Sequence, residues 1–534
     1  MMDVPTPAPA IRSASGLPEP PGAPGPSLTS RTARGFAWLL SQTVVERLVT
    51  AFGQLALAWL LQPSDYKLLA LVYTVTTFGG LLQQAGLGQV LVQRHARFVR
   101  WATPTFWMAL AFGCLAAVLT AAVSPLVARF YQQPALTGLL LVGALSMPLN
   151  GLCVVPDAML RAQMRFRLLA MTGAGVTAGT ILMSVVLAWA GFGAYSFILP
   201  QPVGLTAKAI VLWSAARTRV RPHPRLRRWR MLIGDSGPVL IATLAMTTSY
   251  LGDWIVLGRL YRNEPVVGYY YFALSMADQA SRAFVVNLSG ALFPALATLA
   301  NDAQRQTRAF LRAATTLSLL VVPVSILQAV LAGPLFRVFF PDRLAPAIPI
   351  FAIISIAMLG RQIHSPTESM MLAQRRQRTA MTIALIYAPC FLALVLLSAR
   401  HFGAIGVAAA VAASALVLGP IELRIAVGAG GGTWADVFQV FRVPLLGSAL
   451  SIGPAMLATL VFPRTRVGDA LALVLVSGLY AGVYAMVVRA LAPAEWEQLA
   501  SMLGAFVRRL RRVPDADSRP SPDGGAEDAL RPRR

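Results

Sequence analysis

Residues Arg375–Arg400 read RRQRTAMTIALIYAPCFLALVLLSAR, which is a cluster of three arginines followed by an apolar run over residues 379–399. A run of about 20 apolar residues matches the thickness of a bilayer core when it forms an α-helix. The run does not alternate between apolar and polar residues, as a strand of a membrane barrel would. The stretch therefore predicts a transmembrane helix that begins beside a basic loop.

The same pattern recurs from about residue 36 to about residue 491. Hydrophobic residues make up 56% of the 534 residues and charged residues only 13%, whereas a soluble domain carries about 25% charged residues. We predict an all-α, polytopic membrane protein with about 14 transmembrane helices. The predicted spans are 36–61, 67–89, 103–125, 136–158, 168–191, 194–216, 231–258, 266–293, 312–338, 345–371, 379–399, 404–427, 438–462 and 467–491.

The distribution of arginine predicts which side of the membrane each loop faces. Every second loop is basic, apart from the glycine-rich loop near residues 428–437, and the loops on this side together carry about twice as many basic residues as the others, which fits the positive-inside rule. The densest cluster is the seven arginines between residues 217 and 230. Because an even number of spans separates the termini, both are predicted in the cytoplasm. The net charge of +24 then reflects the membrane surface, and no nucleic acid is predicted as a partner.

The segments that flank the spans are predicted to be cytoplasmic. Residues 1–30 are rich in proline and lack the apolar core of a signal peptide, so they are predicted to be a disordered tail. Residues 494–534 are predicted to form an amphipathic helix on the lipid surface, followed by a disordered tail. Three scattered cysteines and four scattered histidines give neither a disulfide framework nor a metal site.

An internal repeat predicts how the spans are grouped. Residues 192–194 and 402–404 both read FGA, and residues 159–163 resemble 371–374, with offsets of about 210 residues, or six spans. Because six is an even number, both copies have the same orientation in the membrane. The repeat predicts two six-helix lobes with a site between them. The predicted units are an N-terminal six-helix lobe (31–217), a basic cytoplasmic linker (218–230), a C-terminal six-helix lobe (231–428) and two extra transmembrane helices (437–491).

Several motifs together resemble one known family, the polysaccharide-transport-type oligosaccharide flippases of the multidrug/oligosaccharidyl-lipid/polysaccharide superfamily. The resemblance runs from about Thr32 to about Val427. Two departures are Lys67, where the family usually has glycine, and the polar residues 262–264, where small residues are usual. The motifs that carry the resemblance are LLQPSDY at 60–66, QAGLG at 84–88, LVQR at 91–94, residues 161–167, DWIVLGR at 253–259, GYY at 268–270 and FPAL at 293–296.

The resemblance implies an activity and a location. Members of this family move polyprenyl-diphosphate-linked sugar units across the bacterial inner membrane, for assembly of O-antigen, capsule or exopolysaccharide. The implied partners are the bilayer, the lipid-linked oligosaccharide, and the machinery for polysaccharide polymerisation and chain-length control. No bound cofactor is implied, and a proton or a sodium ion are the alternatives for a coupling ion.

Charges within the apolar spans are the candidate site residues, because a charge in lipid is costly and usually faces a cavity or a partner. The cations expected to line a cleft and attract the diphosphate are Arg47, Lys208, Arg282 and Arg361. Lys208 has no acidic neighbour in its own span, which makes it the clearest ligand candidate, with snorkelling or a pair across helices as its alternatives. Arg47 is next to Glu46, and adjacent residues point to different helix faces, so its role is ambiguous. Ion coupling or helix pairing is expected of Asp253, Asp278 and Glu368.

Some of these charges have a structural alternative. Asp278 and Arg282 are four residues apart on one helix face, and Arg361 and Glu368 also share a face. Each of these two pairs is as well explained by an ion pair that holds helices together as by a role in the cleft.

Two other classes of function compete with the flippase. A cation-coupled drug or metabolite antiporter of the same superfamily would have a cleft dominated by acids and usually twelve spans. A membrane glycosyltransferase, polymerase or ligase would need a long extramembrane segment, whereas no loop here exceeds roughly 20 residues. The only D-x-D motif, residues 515–517, lies in the predicted tail. The sequence therefore favours a transporter over an enzyme.

Overall fold

The computed structural model describes residues 46–81, 98–163, 165–216, 229, 237–262, 264–299, 301–461 and 465–497. Every regular element in these ranges is a helix. The predicted tail 1–30, residues 498–534 and nearly all of the linker 218–230 lie outside them. The α-helices are α1 (46–60), α2 (Pro63–Leu81), α3 (Phe98–Tyr131), α4 (Ala135–Ala162), α5 (Phe166–Trp189), α6 (Tyr195–Ile198), α7 (Pro200–Ala216), α8 (Gly237–Leu260), α9 (Val266–Thr298), α10 (Ala303–Val330), α11 (Ala332–Phe339), α12 (Ala347–Ala373), α13 (Gln377–Val427), α14 (Trp434–Val461) and α15 (Arg466–Leu491).

The predicted fold class, an all-α polytopic membrane protein, is confirmed. Nine helical segments of the described chain are long and apolar enough to cross a membrane, and every predicted span overlaps a helix. One of the nine, Arg378–Gly430, contains two predicted spans. The total of 14 crossings stays a prediction.

The two copies of the FGA repeat have the same backbone conformation at their central residue. Gly403, at a kink within α13, has φ 62°, and Gly193, just before α6, has φ 52°. This left-handed region is one that glycine adopts at little cost, unlike residues with a Cβ. Both copies of FGA therefore have the same backbone conformation at the glycine. Each copy lies where one helical segment ends and the next begins.

Most helix contacts lie within the N-terminal half or within the C-terminal half of the chain. Helices α2, α3, α4, α5 and α7 pack among themselves, and so do α8, α9, α10, α12 and α13. Between the halves, α2 packs against α8 and α9. The two last helices pack together, with α14 against α10 and α15 against α11. The lobe boundaries themselves stay a prediction, and we use the predicted orientation below to name the inner and outer ends.

The two halves meet in close contact at the predicted outer end, in an arrangement that we call the outer seal (Trp59, Pro63, Lys67, Arg262, Gly268 and Phe339). Gly268 of α9 lies so close to α2 that a Cβ there would sit 1.9 Å from the Pro63 carbonyl oxygen. The Trp59 indole donates a hydrogen bond of 2.9 Å to the Phe339 carbonyl. Nearby, the Tyr66 and Phe272 rings pack edge to face at 5.3 Å.

The two departures from the family pattern meet in this seal. The Lys67 ammonium group donates a hydrogen bond to the backbone carbonyl of Arg262. Gln133 donates to the same carbonyl at 3.1 Å. A lysine in place of glycine therefore gains an acceptor on the other half of the molecule, supplied by the polar segment 262–264.

A bidentate ion pair connects α11 with α15 at the predicted outer end. Arg337 donates two hydrogen bonds of 2.7 Å to Asp469, and Asp469 is buried whereas Arg337 is 41% exposed. This geometry is the strong form of an arginine–carboxylate contact, weakened here by the exposure of the guanidinium. The pair attaches α15, one of the two C-terminal helices, to α11 of the C-terminal half.

Replacing Asp469 with asparagine should destabilise this attachment. Loss of one charged partner leaves Arg337 without its carboxylate, and we expect a loss of about 1–2 kcal/mol. The melting temperature of the purified protein in detergent should fall by a few degrees. Glu495→Gln, at an exposed position, is the matched control. Equal melting temperatures for the two variants would show that the ion pair contributes nothing.

Candidate functional site: a cavity between the two halves

A cavity of about 600 Å³ lies between the two halves, on the inner side of the outer seal. Helices α1 and α2 form one wall, and α8, α9 and α12 form the other. Ligand sites of this size range combine apolar and aromatic walls with a few placed polar groups. The cavity has aromatic walls and a few polar groups, and these lie at two different depths in the membrane.

Charged and amide side chains form a belt around the cavity, which we call the polar belt (Arg47, Asp278, Arg361 and Gln362). Each belongs to a different helix, except for the neighbours Arg361 and Gln362 of α12. The three charged residues lie roughly 20 Å along their helices from the predicted outer ends, by the helical rise per residue. The belt is therefore near the middle of a bilayer.

Contacts within the belt orient its groups. The Gln362 amide donates a hydrogen bond of 3.3 Å to Asp278 Oδ1. The Arg361 guanidinium lies 4.8 Å above the centre of the Tyr250 ring, in cation–π geometry. Because this stacking leaves the guanidinium edge available for hydrogen bonds, Arg361 is suited to bind an oxyanion.

The cations predicted for the cleft are not all in one place. Arg47 and Arg361 line the cavity. Lys208 lies on α7, a helix that packs against α4, and is not among the residues that line the cavity. Arg282 is on α9, but its side chain lies outside the described residues. A direct role for Lys208 or Arg282 therefore stays a prediction.

The predicted acidic residues also separate. Asp278 belongs to the polar belt, whereas Asp253 of α8 is buried between helices. Tyr270 of α9 donates a hydrogen bond of 2.6 Å to Asp253 Oδ2, and the Trp254 amide donates one of 2.9 Å to Oδ1. Both carboxylate oxygens thus have a partner, which favours the helix-pairing interpretation for Asp253.

Glu368 lines a second cavity, of about 370 Å³, within the C-terminal half. The same wall contains His364 and Glu422, whose Nδ1 and Oε2 atoms are 2.9 Å apart. This pair joins α12 to α13 over 58 positions of sequence, so spacing along one helix gives no sign of it. Arg361, one of the alternatives for pairing with Glu368, stacks on Tyr250 instead.

Three aromatic rings form the outer limit of the central cavity, and we call them the aromatic roof (Tyr73, Trp254 and Tyr271). The Tyr73 and Trp254 ring centres are 6.0 Å apart, and those of Trp254 and Tyr271 are 5.3 Å apart. The roof leaves no recognisable pattern in the sequence. Its members come from three helices, and aromatic residues are common in membrane spans.

Comparison with known proteins gives a family match and a fold match. A family model described as "Polysaccharide biosynthesis protein" matches residues 56–349. The succinoglycan biosynthesis transport protein ExoT of Rhizobium meliloti (strain 1021) is 24% identical over 301 residues. That match covers 56% of this chain and 61% of the relative, so the chain spans less than two thirds of its length.

Two solved structures share the fold. The lipid II flippase MurJ in an inward closed conformation superposes with a TM-score of 0.67 at 15% identity, over 85% of this chain and 99% of that one. A multidrug resistance MATE family transporter of the MOP superfamily in an inward-facing conformation gives 0.56 at 13% identity, over 74% and 99%. At such low identity the likeness establishes the fold alone.

Proposed function

The chain belongs to the polysaccharide biosynthesis protein family, and from this premise we propose that it carries a polyprenyl-diphosphate-linked oligosaccharide across the bacterial inner membrane. The match over residues 56–349 confirms the family resemblance predicted from the motifs, and the chain is a multi-pass membrane protein. We propose further that it is a transporter and not an enzyme. The observation that carries the finer proposal is the placement of Arg47 and Arg361 in one cavity between the halves.

The polar belt suits the charged part of such a substrate. A diphosphate offers several oxyanions, and arginine binds oxyanions through two parallel hydrogen bonds. The low dielectric of a membrane interior strengthens that attraction. The polyprenyl chain remains in the bilayer, while the diphosphate and the sugars occupy the cavity.

The outer seal supports transport by alternating access. In this structure the halves are joined on the predicted outer side of the cavity, which corresponds to a state that loads from the cytoplasm. Transport then requires the seal to open and the inner ends to approach. Substrate or a coupling ion must bind the two states with different affinity. A proton or a sodium ion is the proposed coupling ion, with Asp278 and Glu368 as candidate carriers, and the polysaccharide polymerisation machinery is the proposed partner.

A cation-coupled drug or metabolite antiporter is the second candidate, since multidrug transporters share the fold. Such a protein is expected to have a cleft dominated by acids. Among the described residues that line the central cavity, the charged ones are Arg47, Asp278 and Arg361. The excess of cations favours an anionic substrate.

Deletion of the gene tests the proposal. We expect deleted cells to lose a surface polysaccharide and to accumulate the lipid-linked oligosaccharide in the inner leaflet, with both defects reversed by the gene on a plasmid. Normal polysaccharide in deleted cells that lack a paralogue would contradict the proposal. Drug hypersensitivity with normal polysaccharide would favour the antiporter.

A further inference from the structure

The proposed diphosphate site, the polar belt, does not include the aromatic roof. Its rings come from both halves of the molecule, Tyr73 from α2 and the other two from α8 and α9. Tyr73 is 47% exposed, whereas Trp254 is buried. Because Tyr73 lines the cavity, part of its apolar ring faces that space.

Two buried polar atoms, one in the roof and one on α1, make no hydrogen bond within the described structure. Trp254 Nε1 is the buried donor and Gln54 Oε1 the buried acceptor. Both residues line the cavity. An unsatisfied buried group costs about 1–3 kcal/mol. Both atoms are closed off from the cavity in this conformation, so they do not themselves form a binding site for a ligand.

The roof and the belt are stacked along the transport direction. On α8, Trp254 lies roughly 6 Å further towards the outer seal than Tyr250, and on α9 Tyr271 lies roughly 10 Å further than Asp278. The sugars of the substrate are attached directly to the diphosphate. When the diphosphate occupies the belt and the lipid chain extends into the membrane, the sugar rings nearest the diphosphate reach the roof.

We propose that the aromatic roof is a sugar subsite, which binds the pyranose rings next to the diphosphate. The positively polarised C–H edges of a sugar ring match the negative face of an aromatic ring. This inference rests on the proposed function and adds to it that sugars, as well as phosphate, contribute to substrate affinity.

The test uses purified protein and two probes, undecaprenyl diphosphate without sugar and the lipid-linked oligosaccharide that accumulates in deleted cells. Wild-type protein is expected to bind the sugar-bearing lipid about tenfold more tightly, the equivalent of one or two aromatic contacts. Tyr73→Ala should lose most of this preference and keep its affinity for the sugar-free lipid. Tyr73→Phe, which keeps the ring, should retain both.

Each contrary result has a distinct meaning. Equal affinity of wild-type protein for both lipids would overturn the subsite and leave the flippase intact. A preference that survives in Tyr73→Ala, or an equal loss of affinity for both lipids in that variant, would also overturn it. If wild-type protein binds neither lipid, the proposed function fails and the subsite fails with it.

Discussion

Replacing Arg361 with alanine is expected to reduce polysaccharide export about a hundredfold. Arg361 lines the cavity on α12 with its guanidinium stacked on Tyr250. A hydrogen bond to a charged group contributes about 1.5–3 kcal/mol, and the larger value corresponds to roughly a hundredfold change in rate or affinity. Export is measured as surface polysaccharide per cell in deleted cells that carry the variant on a plasmid.

Two further variants make the result specific. Arg361→Lys should retain part of the activity, because lysine keeps the charge but lacks the planar fork that binds two oxygens. Arg489→Ala, which removes an exposed arginine of α15, should export normally. Full export by an expressed Arg361→Ala protein would contradict the assignment of the polar belt. Lys208→Ala then shows whether a cation outside the cavity wall matters as much as one within it.

Gly268→Ala is expected to open the outer seal and to lower export severalfold. The added Cβ would lie 1.9 Å from the Pro63 carbonyl oxygen, which is backbone and cannot rotate away. Helices α2 and α9 must therefore separate. Because the substrate loads only while the seal is closed, a seal that cannot close removes the loading state from the transport cycle.

Opening of the seal is measured with a cysteine placed in the cavity. Ser275 lines the central cavity, and Ser275→Cys is introduced after the free cysteines Cys114, Cys153 and Cys390 have been replaced. A maleimide that does not cross membranes should label this cysteine from outside faster in Gly268→Ala. Gly478→Ala is the control, since a Cβ there meets no atom within 4 Å. Equal labelling of the two variants would contradict the role of the seal.

Local sequence was sufficient to predict the membrane helices, because each is determined by its own composition. The run 379–399 predicts a helix, and α13 includes it. The two copies of FGA also share a local structure, since Gly193 and Gly403 both have a left-handed conformation. These features depend on a few neighbouring residues, so a single sequence is enough to predict them.

The site was predictable only in part, because it depends on which helix faces meet. Arg47 and Arg361 were identified as charges that lipid would not tolerate, and both line the cavity. The same argument selected Lys208, which lies on α7 and not in the cavity wall. The cost of a charge in lipid indicates that a partner or a cavity exists, but not which one.

The His364–Glu422 pair and the aromatic roof show what a single helix cannot reveal. His364 and Glu422 are on different helices, and their contact exists only because α12 packs against α13. Tyr73, Trp254 and Tyr271 are ordinary membrane aromatics until α2, α8 and α9 bring them together. The partners in both cases are set by helix packing.

Transbilayer movement in reconstituted liposomes tests the central claim most directly. The lipid-linked oligosaccharide is placed in both leaflets, and a lectin that cannot cross the membrane measures the fraction that becomes accessible over time. With wild-type protein, the inner-leaflet pool should become accessible. With the Arg47→Ala, Arg361→Ala double variant it should stay protected. Equal accessibility for wild-type and protein-free liposomes would contradict the claim that this cavity carries the lipid-linked sugar.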